Sequence, residues 1–271
     1  MSQNLIFSLT ALLALVPAAL FPYGALAGIG GGGRSAAFWG ALALAFAGPF
    51  AWAAAQVGGT WHTGLSAALW VTIATVMALY LGLAAFTRSA WRLSPLLLPY
   101  LLAVGTVAAA TEGMRDPLLR GGAPEMWILL HIAVSVVTYA LLTLAAVASL
   151  AAFLQERALK AKRPNALTRL LPPMTESERL QVRLLTASEV VLGLGLITGM
   201  AVLHYEKGVP FRLDHKALFS IATFLVIGGL LFMHARTGMR GRTAARLVLI
   251  AYLLLTLAYP GVKFVMGVLL A

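Results

Sequence analysis

An all-α, polytopic membrane helix bundle of about eight transmembrane helices is predicted by three features of this 271-residue chain. Its composition is 61% hydrophobic and 11% charged, which excludes an ordinary soluble domain. A ruler of about 20 apolar residues per crossing finds runs near 5–28, 36–56, 64–86, 94–111, 126–154, 183–205, 215–235 and 245–270. The cations, finally, sit in short loops between these runs.

The first run ends in GALAG, which imitates a signal-peptide cleavage site, but no Lys or Arg precedes it, so it reads as a spanning helix. Cation distribution sets the orientation. Loops one, three, five and seven share a side and carry Arg34, Arg88, Arg92, the run from Arg157 to Arg183 and Arg236 to Arg246, leaving about six of the 20 cations for the other side. The rich side is cytoplasmic, and both termini face outward. The net charge of +11 therefore reports topology rather than nucleic-acid binding.

The longest outer connection, TEGMRDPLLRGGAPEMW, is punctuated by Pro and Gly and separates an N-terminal part (1–125) from a C-terminal part (126–271), each of four helices. The longest inner connection, QERALKAKRPNALTRLLPPMTESERLQVR, is a polybasic stretch suited to anionic lipid. Its Thr175 and Glu178 have the spacing of a capping box, so a helix is expected to begin just after Thr175, lie partly in the interface and turn into the sixth span. In that span, GLGLITG pairs Gly195 with Gly199 for close helix packing, with a dimer interface as the other reading.

No nucleotide loop, HExxH helix or GxSxG elbow is present, so familiar ATPase and hydrolase chemistries have no local support. The chain has no cysteine, so any thiol chemistry belongs to a partner. The five histidines are the chemical clue. His62, His131, His204 and His215 fall on the outer side, with His131 roughly 7–8 Å below the boundary in the apolar helix MWILLHIAVSVVTYALL. His234 lies 19 residues after His215, roughly 28 Å along a helix, so these two mark opposite faces and cannot bind one iron. Interfacial placement explains a lone boundary histidine; facing imidazoles explain a heme site, with Trp61 and Trp127 either covering a porphyrin or belonging to the interfacial belt. Glu189, deep in the sixth span, reads as a structural ion pair with Arg183 or a cation of another helix, with proton handling as the other reading.

The ordered segments HIAVSVVTYALLTLAAVASLAAF, LPPMTESERL, ITGM, DHKALFSIATF, MHARTGMRGR and LAYPGVKFV resemble the cytochrome c assembly family of membrane heme handlers, the CcsA type, and within it the small branch represented by YpjD and HemX. The resemblance covers about 126–268; the first half matches in the number of its spans. It implies heme b as cofactor, an outward-facing heme site and partners among apocytochrome c and other cytochrome c assembly proteins, in a bacterial inner membrane. It also implies His131 as an outer ligand, His234 as a ligand within the membrane, and Asp214 and His215 at the close of the heme-presenting segment. Three features depart from the family pattern: LHYEKGVPFRLDHK lacks tryptophan, MGVLLA lacks a terminal outer histidine, and the second span has no histidine to partner His234. An outer partner for His131 is therefore expected from His62, His204 or His215, and a delivery or lyase-accessory role is expected rather than an autonomous catalytic cycle. A cofactor-free scaffold or regulatory subunit of another membrane complex is the alternative. A transporter has less support, because no pair of broken helices appears.

Overall fold

A computed structural model describes residues 3–26, 33–57, 64–113, 124–209 and 211–265. Eight helices are long and apolar enough to cross a membrane, at the positions the hydropathy ruler gave. They are α1 (Gln3–Leu26), α2 (Ala36–Val57), α3 (Leu65–Phe86), α4 (Ser94–Ala110), α5 (Glu125–Lys160), α7 (Met174–Lys207), α8 (His215–Thr237) and α9 (Gly241–Thr256), the last extended by a π-helical turn, Leu257–Gly261. The short α6 (Ala166–Leu170) caps the inner connection.

The central pair is α5 and α7, whose 36 and 34 residues make rods about 54 and 51 Å long. The hydrocarbon core is about 30 Å thick, so both project beyond it on the basic side. The inner connection is thus mostly helix. Its start differs from expectation: α7 begins at Met174 behind Pro173, Thr175 lies inside it without capping, and the helix runs unbroken into the sixth span. Proline explains this, because its fixed φ and missing N–H suit a helix start. The true capping box is Asn165 with Thr168, where Thr168 N–H donates to Asn165 Oδ1 at 2.8 Å and Asn165 N–H to Thr168 Oγ1 at 3.0 Å. Gln155 Nε2 ties the connection back to α5 by donating to the Thr168 and Pro172 carbonyls at 2.8 and 3.0 Å.

In the N-terminal part, α1 packs on α2 and α4, α2 on α3, and α3 on α5, which joins the two parts. Trp70, Tyr80, Ile73 and Met77 of α3 are fully buried beside Leu15 and Leu42. At the outer end, Ser8 and Ser66 donate to Glu112 Oε2 at 2.6 and 2.7 Å, and Trp70 Nε1–H donates to Ser8 Oγ at 3.1 Å. A carboxylate near lipid is tolerable when hydrogen bonds surround it, and this one fastens α1 to the helices that follow.

Elsewhere α8 and α9 pack together, with α8 also on α7 and α9 on α5. The π turn has a local cause. Pro260 offers no N–H to the Thr256 carbonyl and its ring crowds that turn, so the helix widens. At Gly261 a Cβ would stand 3.0 Å from the Thr256 oxygen, so the absence of a side chain permits the close approach. Tyr139 completes a polar cluster here, its hydroxyl 3.1 Å from both Tyr252 Oη and Thr256 Oγ1, while Tyr252 also bonds Tyr100. These hydroxyls satisfy one another within the bundle.

Glu189 does not pair with Arg183. Six residues along a helix turn a side chain about 240° around, so the two leave α7 on different faces. Glu189 faces α8 instead: a Cβ on Gly228 would lie 2.9 Å from its Oε1, and its Oε2 is buried without a hydrogen-bond partner among the described residues. Gly228→Ala is expected to destabilise by about 1 kcal/mol, the low end for overpacking because the carboxylate is the movable end of its side chain. Thermal unfolding in detergent checks this, and adding Glu189→Ala should recover most of the loss.

Candidate functional site

His131 stands on the second turn of α5, six residues past its start at Glu125. Across from it α7 presents Gly195, Thr198 and Gly199, one helical face by their spacing. A Cβ on Gly199 would come within 3.0 Å of the imidazole Cε1, and one on Gly195 within 3.4 Å of Val134, so the small-residue pair brings α7 against α5 within one chain, as the sequence suggested. The imidazole lies flush on the glycine backbone.

Its hydrogen bonding assigns the tautomer. His131 Nδ1 is 3.1 Å from Thr198 Oγ1, and that hydroxyl donates to the Gly195 carbonyl at 3.1 Å. A hydroxyl has one proton; with it given to Gly195, the oxygen accepts from Nδ1–H. Nε2 keeps its lone pair, the form in which imidazole binds iron.

His131 lines a cavity of about 460 Å³ between α5, α7, α8 and the π turn. Its walls are largely apolar (Ile132, Leu196, Leu203, Ile221), Tyr139 and Tyr259 line it too, and Arg212, Asp214 and Lys216 supply its charge. Asp214 is the N-cap of α8, its Oδ1 accepting the Ala217 N–H at 2.8 Å, which fixes the start of the helix that carries Lys216.

The other outer histidines do not join it. His204 is exposed near the end of α7, its ring 6.2 Å from Tyr205, and His215 is exposed at the first position of α8; neither lines the cavity. Trp127 stacks on Tyr205 at 6.3 Å instead of covering the cavity. His62 and Trp61 lie outside the described residues. No group of three or more His, Asp or Glu side chains able to hold a metal ion occurs among the described residues.

His234 occupies the inner end of α8. Gly238, at φ +67, ends the helix in the left-handed conformation, and His234 Nδ1–H donates to the Met239 carbonyl at 2.9 Å. Its Nε2 is prepared as in His131, but its surroundings differ: a narrow apolar slot of about 10 Å³ and an open polar recess of about 320 Å³.

Sequence reasoning missed Thr198, Arg212, Lys216 and Tyr259. ITGM and LAYPGVKFV were in view as motifs, yet nothing local tells that Thr198 orients an imidazole 67 residues away.

The model of the cytochrome C assembly protein family matches residues 51–270. The chain belongs to the cytochrome c assembly family. The match reaches further than the resemblance read over 126–268, taking in part of α2 and all of α3 and α4. The chain is 70% identical, over the full length of both, to a relative from Azospirillum brasilense described as an uncharacterized 28.8 kDa protein in the nifR3-like 5′ region. It is 31% identical over 193 residues to the inner membrane protein YpjD of Escherichia coli K12, covering 71% of this chain and 70% of that one. No solved structure matches. The chain is thus a multi-pass inner-membrane protein of cytochrome c biogenesis.

Proposed function

We propose that this family member binds and positions heme in the cavity beside His131, at the outer half of the membrane, for a cytochrome c assembly partner. The observation that carries this reading is the hydrogen bond between His131 Nδ1 and Thr198 Oγ1, which occupies that nitrogen and leaves Nε2 for a ligand on a residue lining a cofactor-sized cavity. Pockets for such ligands run about 300–1,000 Å³ and are mostly apolar with few polar groups, which is the character of this one. Heme supplies the iron and the porphyrin that cytochrome c assembly requires. The chain's own residues do the rest: His131 ligates, Thr198 orients the imidazole, the apolar walls exclude water, and Arg212 and Lys216 offer positive charge to porphyrin carboxylates.

The test is an absorption spectrum, oxidised and reduced, of protein purified in mild detergent from heme-supplemented cells. A low-spin heme signature in stoichiometric amount is expected. A folded, colourless protein would instead support the scaffold reading. Thr198→Val, which keeps the shape and removes the oxygen that accepts from Nδ1–H, is expected to weaken heme affinity by about 10–100-fold, read by titrating hemin into the purified protein.

A further inference from the structure

The polar recess at the inner ends of α7 and α8 lies apart from the His131 cavity, although His234, the implied inner heme ligand, is among its lining residues. Thr175, Arg179 and Arg183 stand at four-residue spacing on one face of α7, and Arg240, in the turn after α8, closes the recess with His234 and Glu178. Three guanidiniums and one carboxylate thus line a volume of about 320 Å³. Two carboxylates, Glu178 in the lining and Glu176 beside Arg179, offset only part of this charge. Arg179 meets Glu176 only at 3.5 Å, outside the recess, while Arg183 and Arg240 form no ion pair among the described residues. Glu178 Oε1 is buried without a hydrogen-bond partner, so it bonds to none of the guanidiniums. Like charges four residues apart on a helix repel, and a third facing them adds to the cost unless an anion sits between them.

Location selects the anion. His234 is 19 residues along α8 from its outer end, so the recess lies at the cytoplasmic boundary. Beside it Val182, Leu185, Leu230 and Leu231 line the apolar slot, and exposed apolar side chains of α7 and α8, Val190, Leu194, Leu225 and Phe232 among them, continue into the hydrocarbon region. A ligand with an anionic head at that depth and an apolar body beside it is a membrane lipid. Guanidinium matches phosphate oxygens through paired N–H donors, and basic recesses between helices on the cytoplasmic side suit acidic headgroups.

We infer that this recess binds the phosphate headgroup of an acidic phospholipid, with Arg179, Arg183 and Arg240 as its ligands. The full-length protein, in mixed micelles of phosphatidylglycerol and phosphatidylcholine, is examined by native mass spectrometry for retained lipid. Wild type is expected to retain phosphatidylglycerol at least tenfold over phosphatidylcholine. Arg183→Gln/Arg240→Gln should abolish the preference and Arg179→Gln reduce it. Lys162→Gln/Arg163→Gln, which removes the same charge from the exposed turn before α6, should preserve it. All five arginine and lysine sites are exposed, and circular dichroism verifies the fold. Equal loss in the control pair, or no preference in wild type, overturns the site in favour of diffuse surface charge. Displacement of the lipid by inorganic phosphate makes free phosphate the ligand. Retained lipid preference with lost hemin binding in the Arg183/Arg240 variant assigns the arginines to porphyrin carboxylates. Either of these last results also overturns the lipid assignment, and the lipid-retention measurements are read independently of whether heme occupies the outer cavity.

Discussion

His131→Ala is expected to lose nearly all heme while remaining folded. The substitution removes the ligating Nε2 and leaves the porphyrin held by apolar burial and by the charges of Arg212 and Lys216. Loss of an orienting group alone costs about 10–100-fold in metal affinity, so loss of the ligand itself should reach or exceed roughly 100-fold. The fold should survive, because His131 is only half-buried and its one side-chain bond goes to Thr198, which keeps its own bond to Gly195. Heme content per protein is read from the reduced spectrum, with circular dichroism for folding. Imidazole added to His131→Gly should restore the signal, an outcome that a merely structural histidine would not give. Unchanged heme content in His131→Ala would remove the ligand assignment.

The largest stability effect is expected at Gly48. A Cβ there would lie 2.6 Å from Ala14 Cβ and 3.2 Å from Ala11 Cα, so α1 and α2 meet almost backbone to backbone. Unlike the carboxylate facing Gly228, this neighbour has no movable end, and the helices must part. Gly48→Leu should cost about 3 kcal/mol or more, seen as a fall of roughly 5–10 °C in the thermal midpoint. Gly40, on the same helix with nothing within 4 Å of its Cβ position, is the control, and Gly40→Leu should be near neutral. Equal effects at the two positions would refute the α1–α2 crossing.

The spans were legible because lipid imposes one rule on every residue of a crossing: be apolar, over about 20 positions. The continuation of α5 was not: QERALK fails a hydropathy ruler, yet it consists largely of good helix formers and nothing in it stops a helix, whereas the helix expected over TESERLQVR is present and runs on into the sixth span without a turn. Thr175 misled because a capping pattern describes residues whereas the start was decided by Pro173.

At the site, His131 stood out as a polar group within an apolar helix, and it does line the large outer cavity. Which groups meet it was hidden, since that depends on helix rotation. His204 and His215 share its side of the membrane but point to solvent or lipid, whereas Thr198 reaches it. The pairing expected for Glu189 failed for the same reason, one of angle rather than depth.

The bond between Ser8 and Glu112 spans 104 residues of sequence, and this bears on synthesis. Chains elongate at about 5–20 residues per second, so α1 is complete roughly 4–17 s before the carboxylate that fastens it exists. During that interval α1 must reside in the membrane with the Ser8 hydroxyl awaiting its carboxylate, and with Pro17 and Pro22 each withholding a backbone donor from the turn before it. The outer end of the N-terminal part therefore closes only after the fourth helix is made, whatever the earlier helices do among themselves.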